Sequence, residues 1–289
     1  MTGRLAHVEA RIETVGKLSA VINAMRGIAA SRAQEARGHL DSIRTYAETI
    51  GAGIGQALAC LPQDSAPPAH QDVGGGEGVI ILCAEQGFAG VFSHRALDAA
   101  TLTPRVPSDT RRDLLVVGSR GIGAAEETGL KVAWSTPMIS HPSQTGALAG
   151  RIIEAIYERL ASGEISQVFV VHTVPRPGGT GDILTKRLVP FDFSRFDVAR
   201  ETIEPRLTLP PDRLFTQLAE EYVFAELSEA VMLSFAAENE ARIRAMLAAH
   251  ENVSQTLEEL IASSRRLRQE EITNEIIELA SGGAQSDFA

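Results

Sequence analysis

The stretch that decides the fold runs from Asp212 to Ser281 and reads DRLFTQLAEEYVFAELSEAVMLSFAAENEARIRAMLAAHENVSQTLEELIASSRRLRQEEITNEIIELAS. It contains neither glycine nor proline, so nothing in the local chemistry ends a helix between these two residues. At a rise of ~1.5 Å per residue, this helix would be on the order of 100 Å long. Because no compact domain of this size needs so long a helix, we expect it to pack on another helix or inside a partner.

This helix also carries an apolar seam. The seam positions alternate steps of three and four residues, which is the a/d pattern of a left-handed coiled coil. They are Ile243, Met246, His250, Val253, Leu257, Leu260, Ser264, Leu267 and Glu271. His250, Ser264 and Glu271 are polar, and a permanently buried two-stranded seam rarely accepts three polar side chains. The pattern therefore favours a helix that faces a wetter or moving surface.

The N-terminal region predicts a second helix with its own seam. The seam residues are Leu5, Val8, Ile12, Val15, Leu18, Ile22, Met25 and Ala29, and the extra step of three at Leu18 predicts a stammer that overwinds the supercoil. Gly16, Gly27 and Gly38 recur on one stripe, where they either permit close approach of another helix or occupy exposed positions. We expect the helix to fray between Gly51 and Gly55.

Between the two helices the sequence predicts an α/β domain. Short apolar runs at 79–82, 114–117 and 168–171 are typical of buried parallel strands, with further strands near 131–134 and 185–189. Helical periodicity fills 92–100 and 144–161, so strand and helix alternate as in a three-layer Rossmann-like domain.

The predicted organisation follows the chain from end to end. Residues 1–60 form a coiled-coil helix, 61–78 a linker rich in proline and glycine, 79–204 the α/β domain, and 205–289 the long helix. The economical arrangement pairs the two terminal helices antiparallel, with the α/β domain inserted between them at one end of the stalk.

Composition excludes several classes of protein. A formal charge of −10 without a long basic run argues against a general nucleic-acid binder. No apolar run approaches ~18 residues, which predicts no direct membrane insertion, and the first residues do not resemble a leader peptide. Cys60 and Cys83 are interpreted as small buried residues, and the seven scattered histidines as satisfied or exposed side chains. We therefore expect no metal, cofactor or catalytic site.

One motif could contradict this expectation. The run Gly118-Ser119-Arg120-Gly121-Ile122-Gly123 follows a predicted strand, and its glycine pattern resembles that of the pyrophosphate-binding turn of short-chain dehydrogenases. That family also needs a Tyr-x-x-x-Lys pair, and no tyrosine here is followed by lysine at that spacing. A structural turn is the favoured interpretation, and an NAD(P)-binding enzyme is the least favoured function.

The run Arg265-Arg266-Leu267-Arg268-Gln269 places three guanidinium groups on about one turn of the long helix. Arginine forks suit the carboxylates of a partner. A solvated face with intrahelical pairs is the commoner alternative for such a cluster taken alone.

Four ordered motifs resemble the γ subunit of F-type ATP synthases. The motifs are 11–15 with 22–31, the Gly87/Gly90 turn, 238–246 (ENEARIRAM) and 272–282 (ITNEIIELASG). The resemblance runs in order over essentially the whole chain. The resemblance implies a central-stalk rotor that couples ion-driven rotation of a membrane c ring to conformational cycling of catalytic β subunits, without catalysis of its own. It also implies partnership with the α and β subunits, the ε subunit and the c ring, at the cytoplasmic face of a bacterial inner membrane.

The resemblance assigns contact residues as well. Met25, Arg265, Arg266, Arg268 and Gln269 are the expected contacts with the α/β hexamer. Leu207 and Thr208 are candidate contacts with the c ring or ε, although the run 207–210 replaces a segment that usually contains Tyr and Glu. This departure leaves a divergent, sodium-translocating or hydrolysis-biased member as the alternative.

Overall fold

The computed structural model describes residues 2–60, 75–102, 111–176, 178–198 and 209–286. This part of the chain contains five helices and five strands, which alternate except that β5 follows β4 directly. They are α1 (Thr2–Ala59), β1 (Gly76–Leu82), α2 (Phe92–Thr101), β2 (Arg112–Val117), α3 (Ser119–Glu127), β3 (Val132–Thr136), α4 (Thr145–Ala161), β4 (Ile165–Val174), β5 (Asp182–Val189) and α5 (Pro211–Ser286). Short 3-10 helices lie at Pro142–Gln144 and Phe193–Arg195.

The strands form a single sheet in the order β3-β2-β1-β4-β5. All neighbours are parallel except β5, which runs antiparallel to β4. The apolar runs at 79–82, 114–117 and 168–171 lie in the three central strands and are buried almost throughout, as expected for a sheet covered on both faces. The predicted edge strand at 185–189 is the end of β5.

Helices cover both faces of this sheet, which makes three layers. Ala96, Leu97, Ala124 and Ala125 of α2 and α3 pack on one face. On the other face, α4 packs together with segments of α1 and α5 in the largest apolar cluster. The expected fold class, paired terminal helices with a three-layer α/β domain between them, is confirmed.

The described chain divides into two compact units. The first contains residues 1–29 and 243–289, and the second contains residues 30–242. Helices α1 and α5 each contribute to both units, and in each unit the two helices are antiparallel. In the first unit Arg268 pairs with Glu9, and in the second Arg44 pairs with Glu229.

The seam predicted for α5 is confirmed in the first unit. Every one of its nine positions from Ile243 to Glu271 is buried or half-buried, while most of the intervening residues are exposed. Met246 is the most deeply buried of them. The polar members His250, Ser264 and Glu271 are half-buried, like every other seam residue except Met246, so none of them is shut off from water.

The stammer predicted in α1 is wrong. Leu18 is 49% exposed, and Ser19 takes the half-buried seam position. A strict heptad repeat moves by seven residues from Ile12 to Ser19 and from Val15 to Ile22, so Leu18 lies about 100° away from the seam. The stammer prediction rests on the apolar side chain of Leu18, but Ser19 has the angular position of the seam.

The predicted fraying of α1 at Gly51–Gly55 is also wrong, because the helix continues to Ala59. Ile54 is fully buried in a cluster with Phe193 and Phe215. A Cβ added at Gly51 would lie 3.2 Å from the ring of Phe196, so this glycine admits an aromatic side chain rather than ending the helix. Tertiary packing thus overrides the low helix propensity of glycine.

We expect Ile22→Ala to destabilise the chain far more than Leu18→Ala. Ile22 is only 6% exposed, so its truncation should cost about 2–4 kcal/mol, whereas truncation of the exposed Leu18 should cost under about 1 kcal/mol. Thermal unfolding followed by circular dichroism measures both losses. A larger loss for Leu18→Ala would restore the stammer.

Candidate functional site

The glycine-rich loop 118–123 is a structural turn. Gly118 has φ +108°, and a Cβ there would lie 2.6 Å from the Cys83 carbonyl oxygen. A Cβ at Gly121 would lie 2.4 Å from the Cβ of Cys83. Both glycines are therefore required by the close approach of α3 to the end of β1. Gly123, in contrast, has nothing within 4 Å of an added Cβ.

A carboxylate of the chain itself occupies the N-terminus of α3. The Ser119 amide donates to Glu85 Oε2 at 3.0 Å, and the Ser119 hydroxyl donates to Glu85 Oε1 at 2.7 Å. The Met138 amide donates to the same carboxylate at 2.8 Å. Because a helix N-terminus attracts one anionic group, Glu85 takes the place that a pyrophosphate would need. The geometry does not favour the dehydrogenase alternative.

Helix α5 fills the crevice at the carboxyl ends of β1 and β4, where open α/β sheets usually bind ligands. Glu238 accepts hydrogen bonds from the amides of Glu85 and Gln86, each at 3.3 Å. Arg242 pairs with Glu238 and donates to the carbonyl oxygens of Gln86 and Gly87, each at 3.1 Å. The ENEAR stretch of the sequence thus holds the turn after β1 by these hydrogen bonds. We call Glu238 and Arg242 together the clamp.

The clamp is desolvated. The side chains of Glu238 and Arg242 are 3% and 5% exposed. Burial raises the pKa of Glu238, while the charge of Arg242 and its hydrogen bond act in the opposite direction. Two buried charges that satisfy one another and four backbone groups fix geometry rather than perform chemistry.

Neither cysteine has the environment of a nucleophile. Cys83 is buried, and burial raises the pKa of its thiol to about 12. Cys60 is half-buried rather than buried as expected. Among the residues that the structure describes, no group of three or more His, Cys, Asp or Glu side chains could hold a metal ion.

One histidine differs from the expectation of satisfied or exposed side chains. His172 is buried, and its Nδ1 has no hydrogen-bond partner within the described ranges. Burial, with the nearby charge of Lys186, lowers its pKa to about 4. It is therefore a neutral packing residue at neutral pH.

The arginine-rich turn of α5 lies on the surface of the first unit. Arg265, Arg266, Arg268 and Gln269 are all exposed. Arg268 Nη2 donates to Glu9 Oε1 of α1 at 2.9 Å, with 65% and 46% of the two side chains exposed. An exposed pair of this kind contributes ~0–1 kcal/mol, so its partner is readily exchanged.

Met25 is half-buried on α1, next to an exposed apolar stripe that the sequence reasoning missed. Leu18, Val21 and Ile28 are 49%, 54% and 55% exposed, and with Met25 they follow steps of 3, 4 and 3. This stripe is visible in the sequence as a second heptad pattern that is interleaved with the seam of α1. Ile272, Ile276 and Ile277 form a further exposed apolar group on α5.

Two further sequence predictions concern the candidate contacts with the c ring or ε and the three glycines on one stripe of α1. Leu207 and Thr208 lie outside the described residues. Gly16, Gly27 and Gly38 have nothing within 4 Å of an added Cβ, so they permit no close approach within the described part of this chain. None of the described helices is long and apolar enough to cross a membrane.

The fold and its surfaces define a stalk-type protein. Its long terminal helices are paired and expose apolar and arginine-rich faces. Its α/β domain has a ligand crevice that is filled by side chains of the chain itself. The comparisons identify the kind of stalk. The sequence profile of the ATP synthase family matches residues 4–285. The ATP synthase gamma chain of Frankia casuarinae is 30% identical over 296 residues, covering 98% of this chain and 97% of the relative. That of Caldanaerobacter subterraneus is 26% identical, covering 95% and 97%.

Solved structures agree on the fold. A chain from the rotor of the Euglena gracilis mitochondrial ATP synthase has a TM-score of 0.61 at 15% identity and covers 94% of this chain and 100% of that one. A chain from the OSCP/F1/c-ring assembly of the same enzyme gives 0.64 at 11% identity, with 98% and 95% covered. The chain therefore belongs to the ATP synthase gamma-chain family.

The glycine loop generates the first prediction for this region. Gly121→Ala should cost about 1–3 kcal/mol, because the new methyl group overlaps Cys83. Gly123→Ala has open space and should stabilise α3 by up to about 1 kcal/mol. Denaturant unfolding compares the two variants. Binding of NADH or NADPH to the unmodified chain would contradict the structural role.

The clamp generates the second prediction. Arg242→Ala leaves Glu238 buried without its cation and should cost about 3–5 kcal/mol. Its matched control, Arg44→Ala, breaks the half-exposed pair with Glu229 and should cost under about 1 kcal/mol.

The loss in Arg242→Ala should also depend on pH. Without Arg242 the pKa of Glu238 rises further above its ordinary value, so the folded state takes up a proton before the unfolded state does. Stability of the variant relative to the unmodified chain should therefore recover as the pH falls from 8 towards 5. A loss that is equal at both pH values would show that Glu238 does not change its protonation between them.

Proposed function

We propose that this chain transmits torque between a membrane c ring and the catalytic β subunits, and that it has no catalytic site of its own. The observation that carries the proposal is the surface of the first unit. Its seam is occupied within the chain, yet α1 exposes a second apolar stripe and α5 exposes a turn of arginines. A helical pair whose own interface is already satisfied keeps such faces for other subunits.

The arginine turn supports contact with carboxylates of the hexamer. Arg265 and Arg266 are exposed, and Gln269 beside them can both donate and accept hydrogen bonds. Arg268 pairs with Glu9 in the free chain, but both side chains remain accessible to solvent. A passing carboxylate on a β subunit can therefore replace Glu9 at little cost.

The apolar stripe supports a sliding contact. Leu18, Val21 and Ile28 present aliphatic side chains without hydrogen-bonding groups, so a partner surface can move across them without breaking directional bonds. Met25 at the edge of this stripe is an adaptable contact because its side chain is unbranched and polarizable. These residues are the proposed contacts of α1 with the α/β hexamer.

The remaining partners follow from the same assignment. The α/β domain is the proposed site of contact with ε and the c ring, with Leu207 and Thr208 as candidate residues. Neighbouring structures include a chain from an assembly that contains a c ring. The complex would lie at the cytoplasmic face of the bacterial inner membrane, with this chain bound peripherally.

Purification of the tagged full chain from its native cells tests this function. Mass spectrometry should identify α, β, ε and c subunits in the recovered complex, and the chain alone should hydrolyse no ATP. Recovery of the chain without ATPase subunits would overturn the proposal.

The same preparation tests the contact residues. Arg268→Ala combined with Gln269→Ala should lower ATP synthesis severalfold while leaving the yield of assembled complex unchanged. Glu9→Gln is the matched control, because it removes the partner of Arg268 within the chain but keeps Arg268 itself. If Glu9→Gln lowers synthesis equally, the effect belongs to the helical pair and not to a contact with the hexamer.

A further inference from the structure

A half-open apolar cavity of about 590 Å³ lies within the second unit, between α4, the end of β5 and the first turns of α5. Its volume falls inside the range of ~300–1,000 Å³ typical of small-molecule sites. Its lining includes Ile156, Tyr157, Ala161, Ile165, Leu188 and Glu220. Neither the torque-transmitting surfaces nor the clamp uses this cavity.

The cavity reaches the core of the domain. Ile156, Ile165 and Leu188 line it, and all three are almost completely buried members of the main apolar cluster. An apolar ligand would therefore contact preformed, tightly packed walls. Such walls favour the binding of a hydrocarbon body because little reorganisation is needed.

Polar groups are few and lie on its two helical sides. Tyr157 of α4 lies near the carboxylate of Glu220 on α5, and both side chains are exposed to solvent. Burial, together with Glu220, raises the pKa of Tyr157 to about 12, so the phenol stays neutral at the opening of the cavity.

The charge of the lining is one-sided. Among the described residues around the cavity, Glu220 is acidic and none is basic. An anionic ligand such as a fatty acid would meet only repulsion at this position. A cation with an apolar tail would place its head on Glu220 and its tail against the aliphatic walls.

We propose that this cavity is a binding site for a lipophilic amine, with Glu220 as the group that recognises the ammonium head. The proposal rests on the lining of the cavity and not on the contacts proposed for α1 and for the arginine turn of α5. The occupant competing with this one is a side chain of a neighbouring subunit, and the experiment separates the two.

The test compares two ligands with the same tail and opposite charge. Dodecylammonium and dodecanoate are titrated into the full chain by calorimetry, each below its micelle concentration. The amine should bind about tenfold or more tightly than the acid, as expected for a charge-assisted contact. Equal affinities, tighter binding of the acid, or binding of neither would overturn the proposal.

Variants locate the binding. Glu220→Gln should remove the preference for the amine while keeping tail binding, and Ala161→Trp, at an exposed position on the rim, should weaken both ligands. Glu154→Gln on an exposed part of α4 outside the lining is the matched control and should change nothing. If circular dichroism shows that Ala161→Trp does not fold, Glu220→Gln decides alone, and an unchanged preference in that variant refutes the site.

The assembled complex separates a ligand site from a subunit socket. Titration of the purified complex should reproduce the preference for dodecylammonium and its loss in Glu220→Gln. Binding that occurs in the free chain but disappears in the complex would mean that another subunit fills the cavity, which would overturn the proposal.

Discussion

The structure depends on the burial of α5 on all sides between Ala225 and Asn239. Every residue of this segment except Glu229 is buried, because the main apolar cluster joins it to α1, α4 and the sheet. A helix enclosed in this way cannot be amphipathic. Its small residues let neighbours approach closely, and its carboxylates need cationic partners. Lys186 and Arg195 from outside α5 meet Glu226, Arg44 of α1 meets Glu229, and Arg242 of α5 itself meets Glu238.

In the described residues, the place where an α/β sheet with a glycine-rich turn usually binds a nucleotide is filled by side chains of the chain itself. The crevice beyond β1 contains the clamp of Glu238 and Arg242, and the N-terminus of α3 is capped by Glu85. Side chains of the chain thus satisfy the backbone donors that a phosphate would otherwise satisfy. The sheet topology that often serves catalysis serves here to attach a helix rigidly.

Much of this fold could be predicted from the sequence, because the strands are short apolar runs and α5 lacks any residue that ends a helix. The errors share one cause. The stammer prediction follows the hydrophobicity of Leu18 rather than its angular position on the helix. The fraying prediction follows the low helix propensity of Gly51 rather than its packing against Phe196. Both require knowledge of the neighbouring element. The exposed stripe at Leu18, Val21 and Ile28 was missed for the same reason, since two interleaved heptad patterns look alike until burial distinguishes them.

The contact residues were predicted by resemblance rather than by physical chemistry, and charge burial supplies the missing physical distinction. In the second unit, Glu226, Glu238 and Arg242 are nearly inaccessible, and breaking such pairs leaves an uncompensated buried charge. In the first unit, Lys17 with Glu13 and Arg268 with Glu9 remain largely exposed, so water or another carboxylate can replace either partner. The same pairing of opposite charges therefore fixes geometry where it is buried and stays exchangeable where it is exposed. A rotor needs both properties, since the domain that receives torque must not deform while the shaft surface must exchange contacts at each step.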